Sequence, residues 1–84
     1  MAALRQAFDD GASSGQIRSD VSVDLGHGLD DLQDKLDNGQ RGDAISRVED
    51  LIRRIHTRIR EDGITTARAT ILQRNLLMVA NALN

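Results

Sequence analysis

The stretch DAISRVEDLIRRIHTRI, residues 43–59, decides the fold class. Ile45, Val48, Ile52, Ile55 and Ile59 step by three, four, three and four, the spacing of one face of an α-helix. Leu51 widens that face toward one neighbour. Glu49–Arg53 and Asp50–Arg54 stand four apart with the acid first, an order that supports a helix by about 0.2–0.5 kcal/mol per pair. Asp43 is the expected N-cap, and Glu61-Asp62-Gly63 the expected stop. A helix with such a face must bury it against other elements, so the flanking sequence is read for partners.

Three further helical segments are legible. The first, residues 2–13, carries Leu4, Phe8 and Ala12 and is broken by Gly11, Ser13, Ser14 and Gly15; it is expected to be short and loosely attached. The second, residues 20–37 after Ser19 as N-cap, carries Val21, Leu25, Leu29, Leu32 and Leu36 and ends at Asn38-Gly39. Gly26 and Gly28 inside it permit either close helix contact or a kink, at about 0.5–1 kcal/mol each against Ala. The fourth follows Ile64, with Thr65 or Thr66 as N-cap, and carries Ala69, Leu72, Leu76, Val79 and Leu83. A constant offset of 47 maps Ile17, Ser19 and Leu25 onto Ile64, Thr66 and Leu72, and Leu4, Phe8 and Ala12 onto Leu51, Ile55 and Ile59. The expected fold is all-α: residues 1–84 form one small antiparallel bundle of four helices, the first one short, built as two tandem helical hairpins.

Composition narrows the function classes. The chain has 84 residues, 39% of them hydrophobic, too few for a domain with a deep catalytic cleft. It has no Cys, which excludes disulfide scaffolds, thiolate zinc sites and thiol catalysis. With no Trp or Tyr and a single Phe it lacks the rings that stack on nucleic-acid bases. The formal net charge of −2 argues against bulk attraction to nucleic acid or to anionic membrane. The longest apolar run, Leu76 to Ala80, is too short to span a bilayer. The N-terminal stretch, carrying Arg5 and Asp9-Asp10, does not have the form of a signal peptide, and the chain reads as an accessory domain of a larger protein.

No catalytic, cofactor-binding or metal-ligating set emerges. Ser13-Ser14 and Thr65-Thr66 lack an activating His or Lys in any nucleophile motif and read as turn and cap residues. Gly26-His27-Gly28 lies inside a helical stripe and has no preceding strand, so it is not a phosphate cradle. His27, near Asp24, Asp30 and Asp31, reads as part of a solvated face, and His56 as a surface residue. Charge is divided unevenly. Residues 1–44 hold four basic and nine acidic side chains, and residues 45–84 seven basic and four acidic. Asp30, Asp34 and Asp37 on the second helix are expected to face Arg47, Arg54 and Arg58 on the third, with Arg53 and Arg60 beside them. The same Arg47, Arg54 and Arg58 row is the candidate site for an acidic ligand such as a cell-wall or matrix polymer. Ile71, Leu77, Met78 and Ala82 extend apolar surface beyond the core stripe of the fourth helix. They are the candidate surface for a protein partner or for self-association.

Particular segments also resemble a known family. They are SGQIRSDV at 14–21, Leu32 to Leu36, Asn38-Gly39, and GDAI at 42–45 leading to Val48 and Leu51. Together they resemble the FIMAH-type helical domains at the C-termini of many secreted and cell-surface bacterial proteins. They are similar also to the helical tail of some actinobacterial serine/threonine protein kinases. The resemblance covers nearly the whole chain. It implies a non-enzymatic accessory or sensor module without cofactor, attached to a catalytic or receptor part at the cell surface or outside the cytoplasm. It assigns no catalytic residue.

Overall fold

Three of the four helices are stopped by a single residue of left-handed backbone, and these stops steer the chain. A computed structural model describes residues 1–83 as α1 (Ala2–Ser13), α2 (Ser19–Asp37), α3 (Arg41–Arg60) and α4 (Thr66–Leu83). The left-handed residues are Gly15, Gly39 and Asp62, at φ 78°, 70° and 58°. After α2 the Gly39 N–H donates to the Leu36 carbonyl and the Gln40 N–H to that of Lys35, the paired closure of a Schellman cap. After α3 the Asp62 N–H donates to Ile59 and the Gly63 N–H to Arg58 in the same pattern.

The loops Ser14–Arg18 and Glu61–Thr65 then meet. The Arg18 N–H donates to the Gly63 carbonyl at 2.7 Å, and the Thr65 N–H donates to the Gln16 carbonyl at 2.9 Å. These reciprocal bonds make an antiparallel bridge between Ile17 and Ile64, both buried. Donors and acceptors are related by the offset of 47, as are Gly15 and Asp62, the last residues of α1 and α3, and the first residues of α2 and α4. The repeat in the sequence is therefore a pseudo-twofold axis in the fold. The axis continues into the core. A wholly apolar gap of about 10 Å³ is lined by Leu4 and Leu51, Phe8 and Ile55, Leu25 and Leu72, Leu29 and Leu76. These are four pairs 47 apart. The helices form a ring in which α1 packs on α2 and α4, and α3 packs on α2 and α4.

Several local expectations are corrected. Arg18, not Ser19, is the N-cap of α2, because its N–H is held by the bridge and the helix begins at the next residue. α3 starts at Arg41 with Gln40 as N-cap, so Asp43 sits within the first turn, where its charge favours the helix dipole. At α4 the cap is Thr65, whose Oγ1 accepts the Arg68 N–H. The centre of the α3 face is Ala44, Val48, Leu51 and Ile55. Ile45, Ile52 and Ile59 are only half-buried, because α3 lies between α2 and α4 and is turned to serve both. α1 is short but well seated, with Leu4, Ala7 and Phe8 buried.

Gly26 and Gly28 have different reasons to be glycine. α2 runs unbroken through both. A Cβ at Gly28 would stand 2.5 Å from Leu51 Cδ2, in a wholly buried contact, whereas one at Gly26 would meet the Phe8 ring at 3.6 Å, an ordinary distance. Gly28→Ala gains about 1 kcal/mol of helix propensity but overpacks the core by about 1–3 kcal/mol, so it should destabilise. Gly26→Ala should stabilise by about 0.5–1 kcal/mol. Thermal melts should move in opposite directions, by about 4–8 °C per kcal/mol. Melts that moved together would contradict the close contact at Gly28.

Candidate functional site

The seam between α2 and α3 is ionic. Asp24, Asp31 and Lys35 share one α2 face with Gly28, and Arg47, Asp50, Arg54 and Arg58 answer them from α3. Lys35–Asp31, Asp31–Arg47, Arg47–Asp50, Asp50–Arg54, Arg54–Asp24, Asp24–Arg58 and Arg58–Glu61 are in contact at 2.7–3.6 Å. The result is an unbroken row of four cations and four anions in alternation. Cross-helix complementarity is thus present, but its carboxylates are not those expected. Asp30 bonds Arg5 on α1, Asp37 accepts from Gln33, and Asp34 is exposed. The reason is helical phase. Positions 24, 28, 31 and 35 follow the face that meets α3, and 30, 34 and 37 lie round the helix from it. Arg54 pairs with Asp50 as expected, while Arg53 approaches Asp50, at 3.8 Å, rather than Glu49.

Among the described residues two carboxyls are held below the ordinary carboxylate range. Asp31 is lowered first by its bond from Lys35 and then by Arg47, against partial desolvation. Asp20, in the first turn of α2, is lowered by the Arg18 guanidinium, 2.6 Å away. Arg47, Arg54 and Arg58 line the seam together, and Arg47 and Arg54 with Lys35 border an open depression of about 320 Å³.

The apolar candidates on α4 do not form a single face. Ile71, Met78 and Ala82 fall on one line along the helix, within about 40° of each other at 3.6 residues per turn, while Leu77 lies about 120° round. Ile71, Leu77 and Met78 are exposed, Met78 at 64% and Leu77 at 52%. Met78 and Ala82 belong to a groove of about 210 Å³ between α1 and α4, floored by Met1, Leu4 and Val79. The sequence reading missed Val23, which is 59% exposed on α2. Its signal was available, since Val23 stands off the stripe of Val21 and Leu25.

The loops themselves have a familiar layout. Counted from Asp10 and from Thr57, each hairpin matches the helix–loop–helix unit in which calcium loops place oxygens at positions 1, 3, 5, 9 and 12 and a glycine at position 6. Gly15 and Asp62, both left-handed, hold position 6. The donor set does not fit calcium. Position 3 is Ala12 or Ile59, and position 12, where a chelating glutamate belongs, is Val21 or Arg68. Arg68 instead reaches the other hairpin, with Nε donating to Gln16 Oε1 at 2.7 Å and Nη1 donating to the Ala7 carbonyl at 3.3 Å. Its stem runs over Gly11, where a Cβ would come within 2.8 Å of Arg68 Cγ. His27 and His56 are exposed, and no group of three or more His, Cys, Asp or Glu among the described residues is placed to hold a metal ion. No helix among those residues is long and apolar enough to cross a membrane.

Compared with known proteins, the chain matches one family model, that of the FIMAH domain, over residues 1–80. No curated protein and no solved structure matches it.

The lowered carboxyl of Asp31 gives the seam a pH signature. An unfolded Asp titrates near about 3.9, and the folded one lies below that. The unfolded chain therefore binds the proton first. The Asp31 contribution is whole above about pH 5 and is lost as pH falls through the folded value. With 37% of the side chain exposed, Asp31→Asn should cost no more than about 1 kcal/mol at pH 7. Melts of the two proteins from pH 7 down to about 2.5 should converge at the acid end. A constant gap across that range would remove the seam from the account of acid stability.

Proposed function

The chain belongs to the FIMAH domain family, and from that premise we propose that it is a non-catalytic accessory domain that works by protein–protein contact through α4. The observation that carries this reading is the apolar surface on α4, where Ile71, Leu77 and Met78 are exposed and Ala82 lies beside the α1–α4 groove. A monomeric domain gains nothing in stability from such side chains in water, and a partner would gain from covering them. The parent we propose is a larger bacterial protein acting outside the cytoplasm, to be sought among membrane serine/threonine kinases, whose helical tails residues 14–51 resemble.

A second reading gives Arg47, Arg54 and Arg58 to an acidic cell-wall or matrix polymer. Its support is the open depression bordered by Arg47 and Arg54. Such a ligand would have to displace Asp24, Asp31 and Asp50 from guanidinium groups they already bond. Its binding would fall steeply with salt and disappear when all three Arg are changed to Gln. Binding that survives both would exclude this reading.

For the α4 reading, Leu77→Ser with Met78→Gln should leave stability within about 0.5 kcal/mol per site, because both residues are exposed. The pair should abolish association. Sedimentation equilibrium over a concentration series reads association with a second copy, and photo-crosslinking from residue 81, exposed beside both sites, reads any other partner in the parent protein. Unchanged association by both methods would overturn the proposal. Loss of folding would instead place the two side chains in the core.

A further inference from the structure

Three dipeptides in the chain have the chemistry for imide formation between a side chain and the backbone. They are Asp10-Gly11, Asn38-Gly39 and Asp62-Gly63. In each, a side-chain carbonyl carbon precedes a glycine, whose nitrogen has no neighbouring side chain to obstruct its attack. Asn75 and Asn81 are followed by Leu76 and Ala82 inside α4, and Asn75 Nδ2 donates to the Ile71 carbonyl.

The fold treats the three glycines differently. Gly11 is buried within α1, its carbonyl accepts the Ile17 N–H, and a Cβ there would come within 2.8 Å of Arg68 Cγ. Gly63 is buried, its N–H donates to the Arg58 carbonyl at 2.8 Å, and its own carbonyl accepts the Arg18 N–H at 2.7 Å. A Cβ at Gly63 would stand 2.8 Å from Val21 Cγ2. Gly39 is exposed, and a Cβ there would meet nothing within 4 Å. Its N–H donates to the Leu36 carbonyl at 3.2 Å. The whole of the link from Asp37 to Asp43 is exposed, and Gly39, Gln40 and Arg41 border an open depression of about 310 Å³.

One local feature holds Asn38 back. Its ψ is 2°, which eclipses the Gly39 nitrogen with the Asn38 backbone nitrogen, about a third of a turn away from Cβ. Ring closure needs that nitrogen on the side of Cβ. The α2 cap must therefore open, with loss of the bonds from Gly39 to Leu36 and from Gln40 to Lys35. No buried side chain has to move.

We infer that Asn38 is a site of spontaneous covalent modification by loss of ammonia, gated by the α2 cap, and that the same fold withholds imide formation from Asp10 and Asp62. The Gly39 nitrogen attacks Asn38 Cγ and gives its proton to water. The Cγ–Nδ2 bond breaks, and the side-chain nitrogen takes up a proton and leaves as ammonia. Water then adds to one of the two carbonyls of the five-membered imide. The ring opens to an aspartate in the ordinary backbone, or to the isomer whose backbone runs through the side-chain carbonyl. Both products add a carboxylate at the C-terminal end of α2, which already holds Asp34 and Asp37 and where negative charge opposes the helix dipole. The isomer also lengthens the backbone by one methylene, so the Gly39 and Gln40 N–H groups lose the geometry of the cap. The modified link joins the two hairpins and lies outside α4, so this inference is independent of the docking surface there.

The test compares the folded full chain in mildly alkaline buffer with the same chain unfolded in urea. Mass spectrometry of tryptic peptides reads ammonia loss at Asn38, and separation of the β-linked peptides reads isomerisation at Asp10 and Asp62. Dividing each unfolded rate by the folded rate at the same site removes the intrinsic difference between an amide and a carboxylate. Folding should slow Asn38 by no more than about a hundredfold, and should slow Asp10 and Asp62 by at least about ten times more than that site. Amide hydrogen exchange reads the gate without the chemistry. The Gly39 and Gln40 amides should be at least about tenfold less protected than those of Gly63 and Thr65. Equal protection of the three dipeptides would overturn the inference. So would earlier reaction at Asn75 or Asn81, or Gly39 and Gln40 amides as slow as those of the bridge. Asn38→Asp adds the charge without lengthening the backbone. It should melt below the original chain, and the β-linked product should melt lower still. A β-linked product that melts with Asn38→Asp would overturn the loss of the cap.

Discussion

The rest of the fold depends on two backbone hydrogen bonds exchanged between loops that are 47 residues apart. Arg18 to Gly63 and Thr65 to Gln16 fix Ile17 against Ile64. Each loop is itself the end of one helix and the start of another, so fixing the loops fixes the directions of all four helices at once. The left-handed residues Gly15 and Asp62 are what allow each loop to reverse in so few residues. A non-glycine residue in this backbone is costly, but Asp is among those that tolerate it. The bridge excludes water from the top of the core, and the four apolar pairs below it pack outward from the same axis.

The offset of 47 was legible because it acts on residue types that physics restricts: a buried Ile in each loop, glycine or Asp in left-handed backbone, Leu at equivalent core positions. The helices were legible from periodicity for a similar reason, since burial forces a phase. What escaped the sequence was the fine rotation of each helix. An error of one residue in phase, about 100°, exchanges Asp24 and Asp31 for Asp30, Asp34 and Asp37 as the partners of the arginine row, and puts Ile45 and Ile52 where Ala44 and Leu51 belong. Phase is set by two neighbours together, and α3 has α2 on one side and α4 on the other. Caps were misplaced for a different reason. Ser19 and Asp43 have the side chains that cap helices, but at these ends the backbone is positioned by the bridge and by the Gly39 turn. Among the candidate site residues, the sequence could show that Ile71, Leu77, Met78 and Ala82 exceed one core stripe. Helical spacing also turns Leu77 about 120° from the other three, but which of the four stay uncovered is decided by packing.

Arg68 ties the two hairpins of this scaffold together. In a calcium loop a cation at the centre gathers oxygens from both helices. Here the cation is a guanidinium supplied by the chain itself, and it donates to a side chain and a carbonyl of the opposite hairpin. Gly11 is the accommodation: its missing Cβ leaves the channel through which the Arg68 stem passes. The pseudo-symmetric position holds Val21, buried, so the tie exists on one side only. A covalently attached cation cannot dissociate, so this tie between the hairpins is carried by the chain itself.

A further departure from symmetry, between equivalent positions of α2 and α4, separates packing from the surface left for other molecules. Where a helix lies alongside α2, the α2 positions are Asp24, Asp31 and Lys35, and charge is matched across the seam. The equivalent α4 positions, Ile71, Met78 and Ala82, are apolar although less of their surface is covered. Solubility alone would favour the opposite assignment, with charge on the exposed helix and apolar residues in the seam. The ionic seam is tolerable inside the fold because each charge has a counter-charge and keeps contact with water, which limits the desolvation cost. The apolar stripe has no such internal justification. Its side chains are those that a covered helix would carry.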